Sequence, residues 1–574
     1  MNKPSLTLCM IVRNEEAQLP RCLDSVKSIV DEMIIVDTGS TDRTIEIAEQ
    51  YGAKVFRHQW SNDFAAARNA GLEKASGDWI LVLDADEVLD SYGCELLPLY
   101  MTHPGIEGIL FQLHNDLNEN RGWEIMVNPV LRMFRNRSEY RYRYPIHEQV
   151  IDSIAANSEG AALGQTELVI HHDGYGQKQL QTKQKIRRNR AALEQVLEKE
   201  PHNAFHLFNM GVNYCQTHEH DKAVDCFRQS RLYGPQESPF RSAAYLHEIM
   251  SLFHLQQITE ALLTAEAGIK EYEDYADLYH WQGILQLQNE ETDAAERAFT
   301  RALSLGSSGK YVTEKGNGTF RTLWLMGKLY QDSAQFDQAI SYFTAAIEME
   351  PVFYPALRAL AHVLNCCGRE QELIPLMERL MRVSGPELRL SMLATLAEAN
   401  CYSTILSLTE KKGPHTESMA EALIRFQALL MTGKLAEAKK DVQSNPVFNQ
   451  NILYKDEAAQ WLIWMENGFS VDKLQMPFSG EHEENENAAA AWLSFAAKVA
   501  KANGHQQTAQ SITGRWQATL HKELQAVKNQ HACSLLVETL LHMADDCLID
   551  AGADVQEEKQ QELFVEARIR MQSC

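Results

Sequence analysis

The chain has 574 residues, 45% of them hydrophobic and 23% charged, with a formal net charge of −24. That length exceeds a single core and the composition is ordinary for globular protein, so two or more domains are expected. The acid excess, about −11 before residue 180 and −13 after it, argues against nucleic acid as a partner, because phosphate binding needs a basic footprint.

The first elements alternate. Leu6–Val12 reads as a buried strand, followed by a helix over 18–30, a strand at Met33–Val36, a helix over 43–51 and a strand at Lys54–Phe56. A helix over 64–75 and a strand at Trp79–Leu83 complete the series. Strands alternating with helices of this length predict an α/β domain, a Rossmann-like and mostly parallel sheet with helices on both faces. In such sheets ligands bind beyond the carboxyl ends of the strands. The strand ends here are polar: Arg13-Asn14-Glu15, Asp37 and Asp84-Ala85-Asp86. Residues 105–175 read as less regular and carry a basic, aromatic run from Arg132 to Tyr144. That run suits either a phosphate-binding loop with tyrosines stacked on a ligand or a solvated face.

Strand patterning gives way to helix near Lys178. The expected domains are 1–180 (α/β), 181–203 (a connector helix), 204–385 (helical repeats) and 386–574 (degenerate repeats and terminal helices). The repeats follow a 34-residue register of small, aromatic and proline positions. Gly211, Tyr214, Ala223, Phe227, Ser230 and Pro235 fill it from Ala204; Gly327, Tyr330, Ala339, Phe343, Ala346 and Pro351 fill it from Phe320. Weaker registers start at Ser242, Ala276 and Tyr354, with helix pairs near 419–443 and 490–514. These match tetratricopeptide repeats, an all-α solenoid.

The eleven cysteines form no C-x-x-C pair, which suits reduced thiols, and no apolar run reaches the roughly 18 residues of a membrane span. The expectation is a cytoplasmic protein without a membrane span.

Asp84-Ala85-Asp86-Glu87 follows a buried strand, and carboxylates at i and i+2 can face one way. Such a pair suits a hard divalent cation that keeps open positions for phosphate oxygens; alone, it is equally a solvated turn. Four motifs occur together: Cys9–Glu16, Val36–Asp42, Asp63–Asn69 and Leu83–Glu87. In order and spacing the set resembles family-2 glycosyltransferases, closest to a bacterial subgroup that includes peptide S-glycosyltransferases. Pro145–Val150 and Ile170–Tyr175 also match that subgroup.

The resemblance implies a GT-A fold and a nucleotide-diphosphate sugar donor, usually a uridine one. It implies that Val12, Arg13, Asn14, Glu15 and Asp37 hold the base and ribose, and that Arg68 faces the phosphates or stabilises the site. Asp84 and Ala85 would lie by the ribose, and Asp86 with His172 would bind Mn²⁺ or Mg²⁺. His147 and Glu148 would serve catalysis, Glu148 as general base with Asp173 as its rival. Structural alternatives remain: Asp37 as a turn or helix cap, Arg68 as a surface helix residue. The function so implied is a probably inverting transfer to a protein or peptide acceptor recruited by the repeats. A saccharide or lipid-linked acceptor, an inactive repeat scaffold and homo-oligomer formation stay open.

Overall fold

The computed structural model describes residues 4–92, 94–116, 125–158, 162–172, 178–236, 238–383, 385–410, 418–450 and 499–510, together with 458–459, 461–462 and 465. The chain divides into two compact units, Met1–Ala356 and Leu357–Cys574.

The first unit is built on one sheet. Strands β1 (Leu6–Val12), β2 (Glu32–Asp37), β3 (Lys54–Arg57) and β4 (Trp79–Val82) alternate with helices α1 (Leu19–Val26), α2 (Thr44–Gln50) and α3 (Phe64–Leu72). They lie parallel in the order β3-β2-β1-β4. Strand β4 is buried throughout and β1 nearly so, as expected for parallel strands covered on both faces. Alternation along β1 serves two cores: Leu6, Leu8, Met10 and Val12 pack with α1, while Cys9 packs with Ala65 and Leu72 of α3. The register aligns Val12 with Asp37, so the loops after β1 and β2 leave the sheet side by side.

Beyond β4 the sheet is mixed, and residues 105–175 are more regular than the sequence suggests. Strand β5 (Glu87–Leu89) is short, and after helix α4 (Leu97–Thr102) come two strands of 11 residues, β6 (Ile106–Asp116) and β7 (Ile125–Arg135). Helix α5 (Ile151–Asn157) precedes an 11-residue strand β8 (Ala162–His172). β7 runs antiparallel to β4 and β6, β8 is parallel to β6, and β5 closes the edge against β8. The basic, aromatic run is part exposed, at Arg137 and Arg143, and part buried. Tyr140 and Tyr142 lie in the core, and Arg137 grips Glu107 through Nε and Nη2 at 2.8 and 2.6 Å.

Helix α6 (Lys178–Lys199) leads into the paired helices α7 (Ala204–Cys215), α8 (His220–Tyr233), α9 (Pro239–His254), α10 (Ile258–Glu271), α11 (Ala276–Gln288) and α12 (Thr292–Leu305). The register explains the pairing. A Cβ on Gly211 or Gly283 would come within 2.5 Å of the ring of Phe227 or Phe299, and both rings are fully buried. The small residue lets the second helix of each pair approach until its aromatic fills the gap. The same arrangement joins Gly327 and Phe343 in α13 (Phe320–Asp332) and α14 (Phe336–Met349).

Between α12 and α13 the repeat spacing is broken by residues 306–319, which contain a further strand, β9 (Thr313–Glu314). It pairs antiparallel with Val127 and Met126 of β7, and Lys315 N–H donates to Ile125 O at 2.8 Å. On its other side the segment is held by α11. Asp277 accepts from Thr313 Oγ1, Glu314 N–H and Asn317 Nδ2 at 2.6, 3.1 and 2.8 Å. Tyr275 stacks on Tyr311 with centroids 4.4 Å apart, and Trp281 Nε1 donates to Glu314. The repeats therefore supply a strand to the α/β sheet.

In the second unit the helices include Leu373–Val383, Pro386–Glu398, Tyr402–Glu410, Met419–Met431 and Leu435–Ser444. The pair expected near 419–443 is present; most of the pair near 490–514 falls outside the described residues. Among the described residues, no helix is long and apolar enough to cross a membrane.

Candidate functional site

At the carboxyl ends of β1 and β2 the two loops brace each other. Asn14, in the left-handed region at φ 57°, accepts from Thr41 N–H at 2.8 Å, and its own N–H donates to Ser40 Oγ. Glu15 N–H donates to Thr44 Oγ1 at 2.7 Å. Asp37 is buried and accepts from Gly39 and Ser40 N–H at 3.1 and 3.0 Å, a local turn that Gly39 makes possible at φ 112°. Val12 is buried and its carbonyl accepts from Thr38 N–H, whereas Arg13 is exposed.

Beyond β4 lies a cluster of three carboxylates and two guanidinium groups. Arg68, on α3 and only 7% exposed, donates from Nη2 to Asp84 Oδ1 at 2.7 Å and from Nε to Glu148 Oε1 at 2.5 Å. Arg132 Nη2 donates to Asp84 Oδ2 at 3.1 Å and also to Glu87, which is 2% exposed. The second Glu87 oxygen accepts from Asp84 N–H at 3.0 Å. Burial alone would raise the Asp84 carboxyl; the Arg68 and Arg132 charges beside it outweigh that and hold it well below the usual carboxylate range. Glu87 shifts the other way, pushed up by burial despite Arg132. Ala85 is buried beneath the turn.

Asp86 and His172 meet across the β5–β8 pair, Nε2 to Oδ2 at 3.2 Å, and His172 Nδ1 lies 2.8 Å from Asn115 Oδ1 on β6. Among the described residues no group of three or more His, Cys, Asp or Glu is assembled to hold a metal unaided. An imidazole beside a carboxylate, the pair 28% and 37% exposed, suits a divalent cation whose remaining positions go to phosphate oxygens and water.

The loop before α5 carries the remaining candidates. Tyr144 and His147 both have positive φ, 73° and 54°, uncommon for such side chains and typical of a loop held by its surroundings. Those surroundings come from the helices: Tyr144 packs on Phe205 and His206 of α7, and Ile146 packs with Leu193 and Met210. Pro145 O accepts from Phe64 N–H at the start of α3. His147 is half-buried, Glu148 is 12% exposed, and Asp173 lies outside the described residues.

The site thus brings together Arg68, Asp84 and Glu148, and separately Asp86 and His172, while the 13–15 loop joins the 37–44 loop. Sequence reasoning missed two participants, Arg132 and Asn115. Both sit in strands hidden within the stretch read as irregular.

Residues 7–164 match the family model Glycosyl transferase family 2, and residues 320–353 match a tetratricopeptide repeat. The chain carries a family 2 glycosyl transferase domain. Relatives named for the one part or the other align with the chain. A TPR repeat-containing protein of Synechococcus elongatus is 36% identical over 272 residues, 47% of this chain and 65% of the relative. The SPbeta prophage-derived glycosyltransferase SunS of Bacillus subtilis is 28% identical over 243 residues, 40% of this chain and 53% of the relative. The chain thus spans less than two thirds of either relative. Glucosyl-3-phosphoglycerate synthase of Mycobacterium tuberculosis, solved with Mn²⁺, uridine diphosphate and product, aligns at 18% identity over 34% of this chain and 79% of its own. Its TM-score is 0.27.

Proposed function

We propose that the chain transfers a sugar from a nucleotide-diphosphate donor, a uridine one, to a protein or peptide side chain, with inversion at the anomeric carbon. The observation that carries this reading is the chain of ion pairs from Asp84 through Arg68 to Glu148, which ties the donor-side turn after β4 to the Pro145–Val150 loop. In the reaction the acceptor heteroatom attacks the anomeric carbon, the bond from that carbon to the diphosphate oxygen breaks, and the acceptor proton leaves. Glu148 takes that proton at Oε2, which has no partner among the described residues, while Arg68 fixes Oε1. The loops at 13–15 and 37–44 hold base and ribose, with Asp84 and Ala85 beside the ribose. Asp86 and His172 would hold a Mn²⁺ or Mg²⁺ ion, which would supply positive charge to offset that on the departing diphosphate.

The repeats recruit the acceptor. Asp277 and Trp281 of α11, and Tyr275 before it, are already engaged by residues 311–317, so recruitment falls to other repeat surfaces. A thermal-shift screen of nucleotide sugars with and without Mn²⁺ tests the reading, because a ligand of the native state raises its midpoint. A uridine-diphosphate sugar should stabilise the protein only with the cation; no response to any nucleotide sugar would refute the donor assignment.

A further inference from the structure

Arg132 owes its place to an irregularity in the sheet. Strands β6 and β7 pair Ile109 with Met133 and then Leu110 with Leu131, so Arg132 is the extra residue of a β-bulge. A bulge interrupts the ladder and re-aims one side chain. Here it turns a guanidinium 15% exposed into the carboxylates of the turn after β4. We propose that Arg132 is a positioning residue of the donor site: with Glu87 it locks Asp84 into a single orientation, so that Asp84 receives donor hydroxyl groups and the cation is left to Asp86 and His172.

Three observations support the lock. Both Asp84 oxygens are engaged by guanidinium groups, Oδ1 by Arg68 and Oδ2 by Arg132, which leaves no oxygen facing only a cation. The Asp84 backbone is held by the same partner, since Glu87 takes Arg132 with one oxygen and Asp84 N–H with the other. Arg132 Nε and Arg68 Nη1 are buried without a hydrogen-bond partner. A buried donor left unsatisfied costs free energy, so these two are left to water or to an oxygen of the donor. Asp84 remains 37% exposed, and its carboxylate has acceptor capacity beyond the two guanidinium bonds, to which ribose or sugar hydroxyls can donate.

The proposal rests on the nucleotide-sugar reading, and its test separates the two. Arg132→Met alone would strand the buried Glu87 charge. The informative variant is therefore Arg132→Met with Glu87→Gln, which keeps an acceptor for Asp84 N–H while removing the grip. Uridine diphosphate with Mn²⁺, titrated calorimetrically into the full chain, is the probe. The double variant should bind it at least tenfold more weakly while melting near the wild-type temperature. With a donor found in the screen, KM should rise by a similar factor and kcat should stay within threefold. Arg132→Lys, which restores a cation without the planar fork, should fall between. Wild-type affinity in the double variant would overturn the lock, as would equal losses in KM and kcat that track a lowered melting temperature. A wild-type chain that ignores uridine diphosphate with Mn²⁺ would overturn the donor reading, and the lock with it.

Discussion

Asp277 gives a sharp test of how the repeats are fastened to the transferase sheet. It is 2% exposed, and burial, opposed by its bonds from Thr313 and Asn317, pushes its carboxyl from 3.8 up to about 7. A group whose pKa is higher folded than unfolded contributes most stability below its unfolded value and loses it as pH climbs through the folded one. At 1.36 kcal/mol per pH unit, the loss between 3.8 and 7 is about 4 kcal/mol, of which about 3 falls between pH 5 and pH 8. Asp277→Asn should remove this dependence without breaking the hydrogen bonds. Oδ1 already accepts from both Glu314 N–H and Asn317 Nδ2, and an amide at the other position can donate to Thr313 Oγ1, whose hydroxyl also reaches Glu314 O. Thermal unfolding of full-length wild type and variant should therefore diverge in the variant's favour between pH 5 and pH 8, by about 5 °C at 2 °C or so per kcal/mol. A difference constant across that range would refute the reasoning, and would mean that Asp277 is ionised and held by its three donors.

Three further outcomes follow from the site. Asp86→Ala should abolish metal-dependent nucleotide binding and turnover without lowering the melting temperature, because the side chain is 37% exposed; calorimetric titration with and without Mn²⁺ measures this. Glu148→Gln should keep donor affinity and slow transfer by about 10²–10⁴-fold, the usual share of a general base; a loss confined to donor binding would make Glu148 only an anchor for Arg68. A chain ended after residue 203 should lose donor hydrolysis along with β9 and the α7 seat of the Tyr144–Glu148 loop, whereas one ended after Ala356 should retain it. If the longer truncation also keeps the wild-type acceptor KM, residues 357–574 take no part in recruitment.

The parallel half of the sheet was legible because β1, β2 and β4 are largely apolar runs ended by polar loops, and those polar ends form the candidate site. The repeats were legible through the glycine and phenylalanine positions, whose contact the structure makes literal. The antiparallel half was not. Its strands carry Glu107, Gln112, Arg132 and Arg135 among their apolar residues, which breaks the period-2 pattern, and each of these side chains takes a partner distant in sequence. A bulge displaces residues by one position and leaves little trace in composition. For the same reason Arg132 read as part of a basic run rather than as a site residue. The segment 306–319 was not distinguished from the repeats of 204–385, because a two-residue strand has no periodicity to detect.

The order of synthesis gives β9 a consequence in time. Thr313 follows the last residue of β7, Arg135, by 178 positions. At about 5–20 residues per second, the ribosome needs roughly ten seconds or more to reach it. Until then the Val127 edge of β7 stays open and the transferase sheet lacks its final strand, although every motif of the donor site has already emerged. A nascent chain stalled or cleaved within the first repeats therefore carries all the residues of the site and an unfinished sheet to hold them. The repeats, made last, act as the timer that decides when the domain before them is complete.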